Sequence, residues 1–318
     1  MSTARLQVLI SFGLAERWVA HLKQAFPGVD FTQSRDKAES ERLAAGADVI
    51  YGFRDQELVT KAPRVKWLHY YGAGVDGLSA EHFERHGIVC SNSRGVAAPN
   101  IAEHVLAMML SFARCLPRLQ RVQAAEMWVK NNEVAPFELL DKRLGIVGLG
   151  AIGQEVAKRA LAFGMRVLGL RRGSGAVAGV RMFQVDQLRE MAAESDHLVV
   201  CLPGTADTAG VVGAAVFSAM PRGSYFYNVG RGNIVVQADL IAALESGQLA
   251  GAGLDVMDPE PMPAGHPLWR TPNVLLTSHT SGNTDRYWER AVPLFERNLR
   301  AFIDGKPMEN VVDLRRGY

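Results

Sequence analysis

Short apolar runs alternate with amphipathic segments along almost the whole chain, and few folds accept that pattern. Leu6 to Ile10 precedes Glu16 to Phe26, Asp48 to Tyr51 precedes Glu57 to Lys61, Val65 to His69 precedes Ser79 to Arg85, and Ile88 to Cys90 follows. A short apolar run is a strand buried on both faces, and the amphipathic segment after it is a helix that covers one face. The alternation therefore reads as βαβ units around a parallel sheet. A second series follows a long helical stretch, Asn100 to Cys115. It runs through Leu144 to Val147, Ile152 to Phe163, Arg166 to Leu170, Leu188 to Glu194, His197 to Cys201, Ser224 to Tyr227, Gln237 to Glu245, Ala252 to Asp255 and Val274 to Thr277. Thr284 to Ile303 has the spacing of one long amphipathic helix, and Glu309 to Leu314 reads as a last strand.

Two series imply two sheets and two cores, and a chain of 318 residues that is 48% hydrophobic can bury both. The long helices near Pro99 and the C-terminus carry the chain out of the first domain and back. The expected organisation is one domain over 97–280 inserted into another made of 1–96 and 281–318. Neither an internal repeat nor a low-complexity tract is visible.

A formal net charge of +2 is too small to imply a nucleic-acid surface. Cys90, Cys115 and Cys201 are far apart, with no CxxC pair and no histidine at metal spacing. They read as reduced thiols of a cytoplasmic protein that carries no metal. Leu6 to Ile10 is too short for a membrane span or a secretory core, and Glu16, Arg17, His21 and Lys23 follow at once. No targeting segment and no membrane partner are expected.

Leu144-Gly-Ile-Val-Gly148-Leu-Gly150-Ala-Ile-Gly153 sets G-x-G-x-x-G between an apolar strand and a helical pattern, with another strand at Arg166 to Leu170. Gly148 permits a tight turn, Gly150 lets the backbone approach a pyrophosphate, and Gly153 allows close helix-to-strand packing. The inserted domain is thus read as dinucleotide-binding. The fold class expected is α/β, with two Rossmann-like domains of parallel sheet and the cofactor domain inserted into a flavodoxin-like substrate domain. Where a carboxylate would bond the ribose of NAD, this chain has Leu170-Arg171-Arg172-Gly173-Ser174. Two guanidinium groups and a hydroxyl suit the 2'-phosphate of NADP, so NADPH is expected in preference to NADH. The plainer alternative is a solvated surface pair.

Three more segments each follow an apolar strand: Asn228-Val-Gly-Arg231-Gly, Gly253-Leu-Asp255-Val-Met-Asp-Pro-Glu260-Pro, and Asn273-Val-Leu-Leu-Thr-Ser-His279. In an open parallel sheet the crevice beyond the carboxyl ends of the strands binds ligands, so Arg231, Glu260 and His279 are expected to converge. With Gly72-Ala-Gly74-Val-Asp76, Asn100-Ile-Ala-Glu103-His104, the glycine motif and Leu202-Pro203, these segments make nearly the whole chain resemble the D-isomer-specific 2-hydroxyacid dehydrogenase family, and within it the glyoxylate/hydroxypyruvate reductase type.

The resemblance implies that Arg231 clamps the substrate carboxylate and polarises the keto oxygen, that His279 is the acid in reduction, and that Glu260 is its partner. Hydride arriving at a carbonyl carbon leaves negative charge on oxygen, which a protonated imidazole stabilises and neutralises, and a nearby carboxylate favours that charged form. The resemblance also implies that the backbone N–H groups of Ala73, Gly74 and Val75 complete the anion site. Asp255 contacts the nicotinamide carboxamide, and Ile152, Leu202 and Val229 line the cofactor pocket. His104, on a packed helix, reads as a structural histidine. Trp128 lies where the family places a dimer-forming arm, and either reaches a neighbouring subunit's site or is buried in the subunit interface; a homodimer is expected. Arg286 and Trp288 are read either as lining the substrate pocket or as helix-surface and core residues.

Three departures qualify the resemblance. Val236-Gln237 replaces an acidic pair common in relatives, Glu260 in place of Gln argues against the formate dehydrogenase branch, and the absence of sequence after Tyr318 argues against a long phosphoglycerate dehydrogenase. The expected activity is NADPH-dependent reduction of small 2-keto acids, glyoxylate and hydroxypyruvate, to D-2-hydroxy acids. The alternatives are a reductase for larger side chains and a nucleotide-sensing, corepressor-like binding protein.

Overall fold

A computed structural model of the chain describes residues 5–173 and 175–317. The chain divides into two units, one made of Met1–Val96 with Asp285–Tyr318 and the other of Ala97–Thr284. The first unit begins β1 (Leu6–Ile10), α1 (Glu16–Ala25), β2 (Val29–Gln33), α2 (Lys37–Ala44), β3 (Val49–Gly52), α3 (Gln56–Thr60), β4 (Trp67–Tyr70), α4 (Ala80–His86) and β5 (Val89–Asn92). The second contains α5 (Ala98–Ala113), α6 (Leu116–Ala124), β6 (Arg143–Val147), α7 (Ala151–Ala162), β7 (Arg166–Leu170), β8 (Val180–Phe183), α8 (Leu188–Ala193), β9 (His197–Val200), α9 (Ala214–Ala219), β10 (Ser224–Asn228), α10 (Gln237–Glu245), β11 (Leu249–Leu254) and β12 (Val274–Leu276). The helix α11 (Tyr287–Ile303) returns to the first unit.

Every strand pairing is parallel. The first sheet has the order β2-β1-β3-β4-β5 and the second β12-β11-β10-β9-β6-β7-β8. These are the flavodoxin-like and Rossmann arrangements, with direction reversing between β1 and β3 and between β6 and β9. Parallel sheets need cover on both faces, and the strands are apolar on both. In β1, Val8 and Ile10 join a core with Phe31, Tyr51, Trp67 and Phe295 of α11, while Leu9 joins the opposite core with Ile50, Leu68 and Phe83. In the second unit Leu144, Ile146, Val167 and Val199 face one way, and Val147, Leu168, Leu170, Leu198 and Val200 the other. Each such side chain contributes about 1.5–3 kcal/mol.

Two sequence expectations change. Glu309 to Leu314 is not a strand: Val311 makes one antiparallel bridge to Ser91 of the edge strand β5, and Asn310, at φ 53°, turns the chain out of extended geometry. The long helix of the second unit runs Ala98–Ala113 rather than Asn100 to Cys115, starting with Pro99 in its first turn and stopping before Cys115, whose φ of 56° is left-handed. Unanticipated elements are β2, α2, α6, β8 and α9. Among the described residues no helix is long and apolar enough to cross a membrane, and no group of three or more His, Cys, Asp or Glu side chains is arranged to hold a metal ion.

Two histidines are sealed in these cores. His69 on β4 lies between the Ser91 and Ser93 hydroxyls, at 2.7 Å from Nδ1 and 3.3 Å from Nε2. His197 on β9 bonds the Tyr227 hydroxyl at 3.1 Å. Burial pushes His69 down to about 3 and His197 down to about 4, so both are neutral in the folded chain. The unfolded chain takes up these protons below about pH 6.5, so stability is complete above that pH and is lost as pH falls towards the folded values. The slope is roughly 1.4 kcal/mol per histidine per pH unit. Urea unfolding is expected to give a stability lower by about 2–3 kcal/mol at pH 5.5 than at pH 7.5, and His69→Gln should show about half that pH dependence. Equal stability at the two pH values would show that neither buried ring is held neutral by folding.

Candidate active site

The second sheet carries its candidate side chains at one edge because all its strands run the same way. After β6 the chain turns at Gly148, whose φ of 104° is open to glycine, and enters α7 through Gly150. A Cβ on Gly153 would lie 2.2 Å from the Gly148 carbonyl oxygen, so the helix sits against the strand only with glycine there. A Cβ on Gly150 would meet nothing within 4 Å, and no side chain caps α7. Open space over uncapped helix amides fits a diphosphate. Ile152 lies half-buried on α7, Val229 is buried just past β10, and Leu202 is half-buried past β9.

At the end of β7 no carboxylate stands among residues 171–173. Arg171 donates from Nη2 to the Gly175 carbonyl at 2.7 Å, while its buried Nε finds no partner among the described residues. The same side chain lines a pocket of about 330 Å³ with Gly173, Gly175, Met182 and Gln184. Arg172 pairs with Asp207 at 2.8 Å. Ser174 lies outside the described residues.

At the end of β10 the Asn228 side chain shapes the turn, donating to the Arg231 carbonyl at 2.9 Å and accepting the Gly230 N–H at 3.0 Å. Arg231 donates from Nη1 to the Gly230 carbonyl at 2.9 Å and is half-exposed. Past β11, Asp255 is fully buried. Its Oδ1 accepts the Thr277 hydroxyl at 2.6 Å and the Thr280 N–H at 2.9 Å, and its Oδ2 accepts the Ser281 N–H at 3.1 Å. Burial alone would raise the Asp255 carboxyl, but these hydrogen bonds from Ser281, Thr277 and Thr280 outweigh it and hold the group below the usual carboxylate range.

His279 follows β12 in left-handed backbone, φ 52°, with its N–H on the Asp255 carbonyl at 2.8 Å. Its Nδ1 is 2.7 Å from Glu260 Oε2, and Glu260 Oε1 accepts the Met257 N–H at 2.9 Å. With Glu260 Oε2 accepting, the proton between the two groups sits on His279 Nδ1, and the ring is partly exposed.

The expected Ala73, Gly74 and Val75 lie in the first unit, in the loop after β4. Asn92 Nδ2 donates to the Ala73 carbonyl at 2.6 Å, and Arg54 bridges the Gly74 carbonyl at 3.3 Å and Asp76 at 2.8 Å. None of the three N–H groups bonds an acceptor among the described residues. Val75 itself packs into the core. Trp288 stacks on Phe12, with centroids 5.1 Å apart, and Arg286 pairs with Glu289 at 2.9 Å. Trp128 is 96% exposed. Sequence reasoning gave no role to Asn228, Thr277, Thr280 or Ser281, because short polar residues at or just past the end of a strand carry no signal until their hydrogen bonds are seen.

The family model for the D-isomer specific 2-hydroxyacid dehydrogenase, NAD binding domain, matches residues 106–281. The chain is 30% identical over 313 residues to glyoxylate/hydroxypyruvate reductase A of Serratia proteamaculans, covering 96% of each protein. Among solved structures it is similar to a D-isomer specific 2-hydroxyacid dehydrogenase family protein from Aeromonas salmonicida subsp. salmonicida, at 32% identity and a TM-score of 0.88, covering 98% of this chain and 99% of that one. It is also similar to the D-isomer specific 2-hydroxyacid dehydrogenase from Xanthobacter autotrophicus Py2 in complex with NADPH and MES, at 31% identity and a TM-score of 0.83, covering 99% of this chain and 100% of that one. With an open glycine turn, an arginine and a carboxylate-paired histidine on one sheet edge, and a family model matching more than half its length, the chain belongs to the D-isomer specific 2-hydroxyacid dehydrogenase family.

Proposed function

We propose that this protein reduces small 2-keto acids, glyoxylate and hydroxypyruvate among them, to D-2-hydroxy acids with NADPH, in the cytoplasm and as a homodimer. The observation that carries the reading is the 2.7 Å pairing of His279 Nδ1 with Glu260, which leaves Nε2 free to give a proton. The Ala97–Thr284 unit is assigned to the cofactor and the other unit to the substrate.

The bound cofactor supplies the hydride. His279 donates from Nε2 to the oxygen that becomes the hydroxyl, and Glu260 stabilises the charged ring and holds its orientation. Arg231 has the planar donor fork that grips a carboxylate with two parallel hydrogen bonds. The three unbonded amides of the loop Ala73 to Val75 suit an anion as well. Asp255, kept ionised and dry, is assigned to orienting the nicotinamide carboxamide. The relative in Serratia supports the substrate class, and the relative solved with NADPH supports the cofactor.

Preference for NADPH is supported by the missing carboxylate after β7 and by the Nε of Arg171, which is buried without a partner among the described residues. A hydrogen bond to a charged group is worth about 1.5–3 kcal/mol, or roughly 10- to 150-fold in affinity. Arg171→Ala combined with Arg172→Ala is expected to raise KM for NADPH by at least roughly that factor for one lost contact, leaving NADH kinetics within a few-fold of wild type. The two guanidinium groups are neighbours and their effects need not add. Equal losses with both cofactors would show a folding effect, and wild-type preference for NADH would reject the assignment. On a panel of keto acids, His279→Ala should lower kcat by roughly 10²- to 10⁴-fold with NADPH binding intact; near wild-type kcat would show that another group is the acid.

The dimer is supported by an apolar stretch that the subunit itself does not cover. No residue of α6 is buried, and Met127 and Trp128 beyond it are 63% and 96% exposed. Exposed aromatic and thioether surface of this kind marks an association face. Light scattering at micromolar concentration is expected to give twice the 34.7 kDa chain mass, and Trp128→Ser should shift the species towards monomer. A stable, active wild-type monomer would overturn the dimer.

A further inference from the structure

One side of α5 is set by β11. Phe112, Met108 and His104 recur at four-residue intervals and so form one stripe along the helix. A Cβ on Gly251 would lie 2.9 Å from Phe112, and one on Gly253 would lie 2.5 Å from the Met108 sulfur, so the two glycines let the helix press against the strand. The next residue two further along that line is Asp255, and the next on the stripe is His104. A turn of helix and two residues of strand advance by nearly the same distance, so His104 arrives over the carboxyl end of β11.

There His104 Nε2 lies 3.0 Å from the Thr277 hydroxyl oxygen and 3.9 Å from Asp255 Oδ1. Thr277 has one hydroxyl proton, and it goes to the ionised Asp255 at 2.6 Å. The Thr277 oxygen can then only accept, so His104 donates from Nε2. The chain of donors runs from His104 to Thr277 to Asp255, and Asp255 in turn holds the N–H groups of His279, Thr280 and Ser281. His279, at φ 52°, lies between Thr277 and Thr280, both of which bond the Asp255 carboxylate. Asn100, one turn before His104 on α5, anchors the same segment by donating to the Ser281 carbonyl at 2.7 Å.

We propose that His104 is a positioning residue for His279, acting through Thr277 and Asp255. This rests on the reading of His279 as the proton donor. Wild-type keto-acid turnover with NADPH and its loss in His279→Ala are therefore measured first; their failure overturns that reading and this inference together, whereas the variants below bear on this inference alone.

His104→Ala is expected to lower kcat on the order of 10- to 100-fold, with NADPH Kd and Tm close to wild type. His104→Gln, whose amide N–H reaches the same acceptor, should restore most of the rate, a rescue that a purely packing role would not produce. Thr277→Val, which breaks the same chain at the bond to Asp255, should lower kcat at least as far as His104→Ala, and the double variant should be no worse than Thr277→Val alone. Where His104→Ala does not fold, His104→Leu keeps the volume on β11 and carries the same test. Wild-type kcat in the Ala or Leu variant, no rescue by Gln, or additive losses in the double variant would overturn the proposal. So would an Nδ1–H tautomer of His104 in the nitrogen NMR spectrum.

Discussion

A carboxylate cut off from water must find its donors inside the protein, and Asp255 organises the second unit around that requirement. An unpaired buried charge costs several kcal/mol, more than any single contact here returns. Asp255 meets the demand with the Thr277 hydroxyl and the backbone of Thr280 and Ser281, and its own carbonyl takes the N–H of His279. The segment after β12 cannot move without stripping that charge of partners. The clamp holds the backbone on both sides of His279, whose own N–H bonds the Asp255 carbonyl and whose φ is 52°.

Parallel strands supply the other half of the arrangement. Since every strand of the second sheet runs the same way, the glycine turn after β6, the arginines after β7, Arg231 after β10, Asp255 after β11 and His279 after β12 all emerge at one edge. The price of a parallel sheet is that both faces must be covered, and small residues mark where the cover comes closest. Gly153 lets α7 touch β6, and the glycines of β11 let α5 lie flat enough for His104 to reach past the strand. Packing and chemistry are thus joined at the same residues, because the helix that seals the core also brings a polar group to the edge.

Much of this was legible in the amino-acid order. The alternation of apolar and amphipathic runs carried both parallel sheets, since strands buried on two faces have no polar side to disguise them. The glycine motif carried its turn, because only glycine accepts the backbone of Gly148 and the contact of Gly153. Arg231, Glu260 and His279 stood out through their places after strands and through the family they resemble. Elements with weaker periodicity were harder to see. β2 is a five-residue run whose Asp30 and Thr32 break its apolar character, and β8 has only one fully buried side chain. Glu309 to Leu314 has the composition of a strand, yet one left-handed asparagine holds it to a single bridge.

By itself, then, the sequence determined the class of fold, the edge at which the candidate residues emerge and the residue types available there, because those follow from local periodicity and from backbone conformations that few residues tolerate. Which atoms face which was decided by tertiary structure. Nothing local distinguishes His104 from any other helical histidine, or Thr277 from any threonine after a strand; their pairing spans 173 residues and depends on how closely α5 lies on β11. Arg171 and Arg172 are equivalent in the sequence, yet one is left with a buried donor beside a pocket and the other is held by Asp207. Hydrogen bonds are directional and short, so their partners are chosen only once the packed core has set the distances.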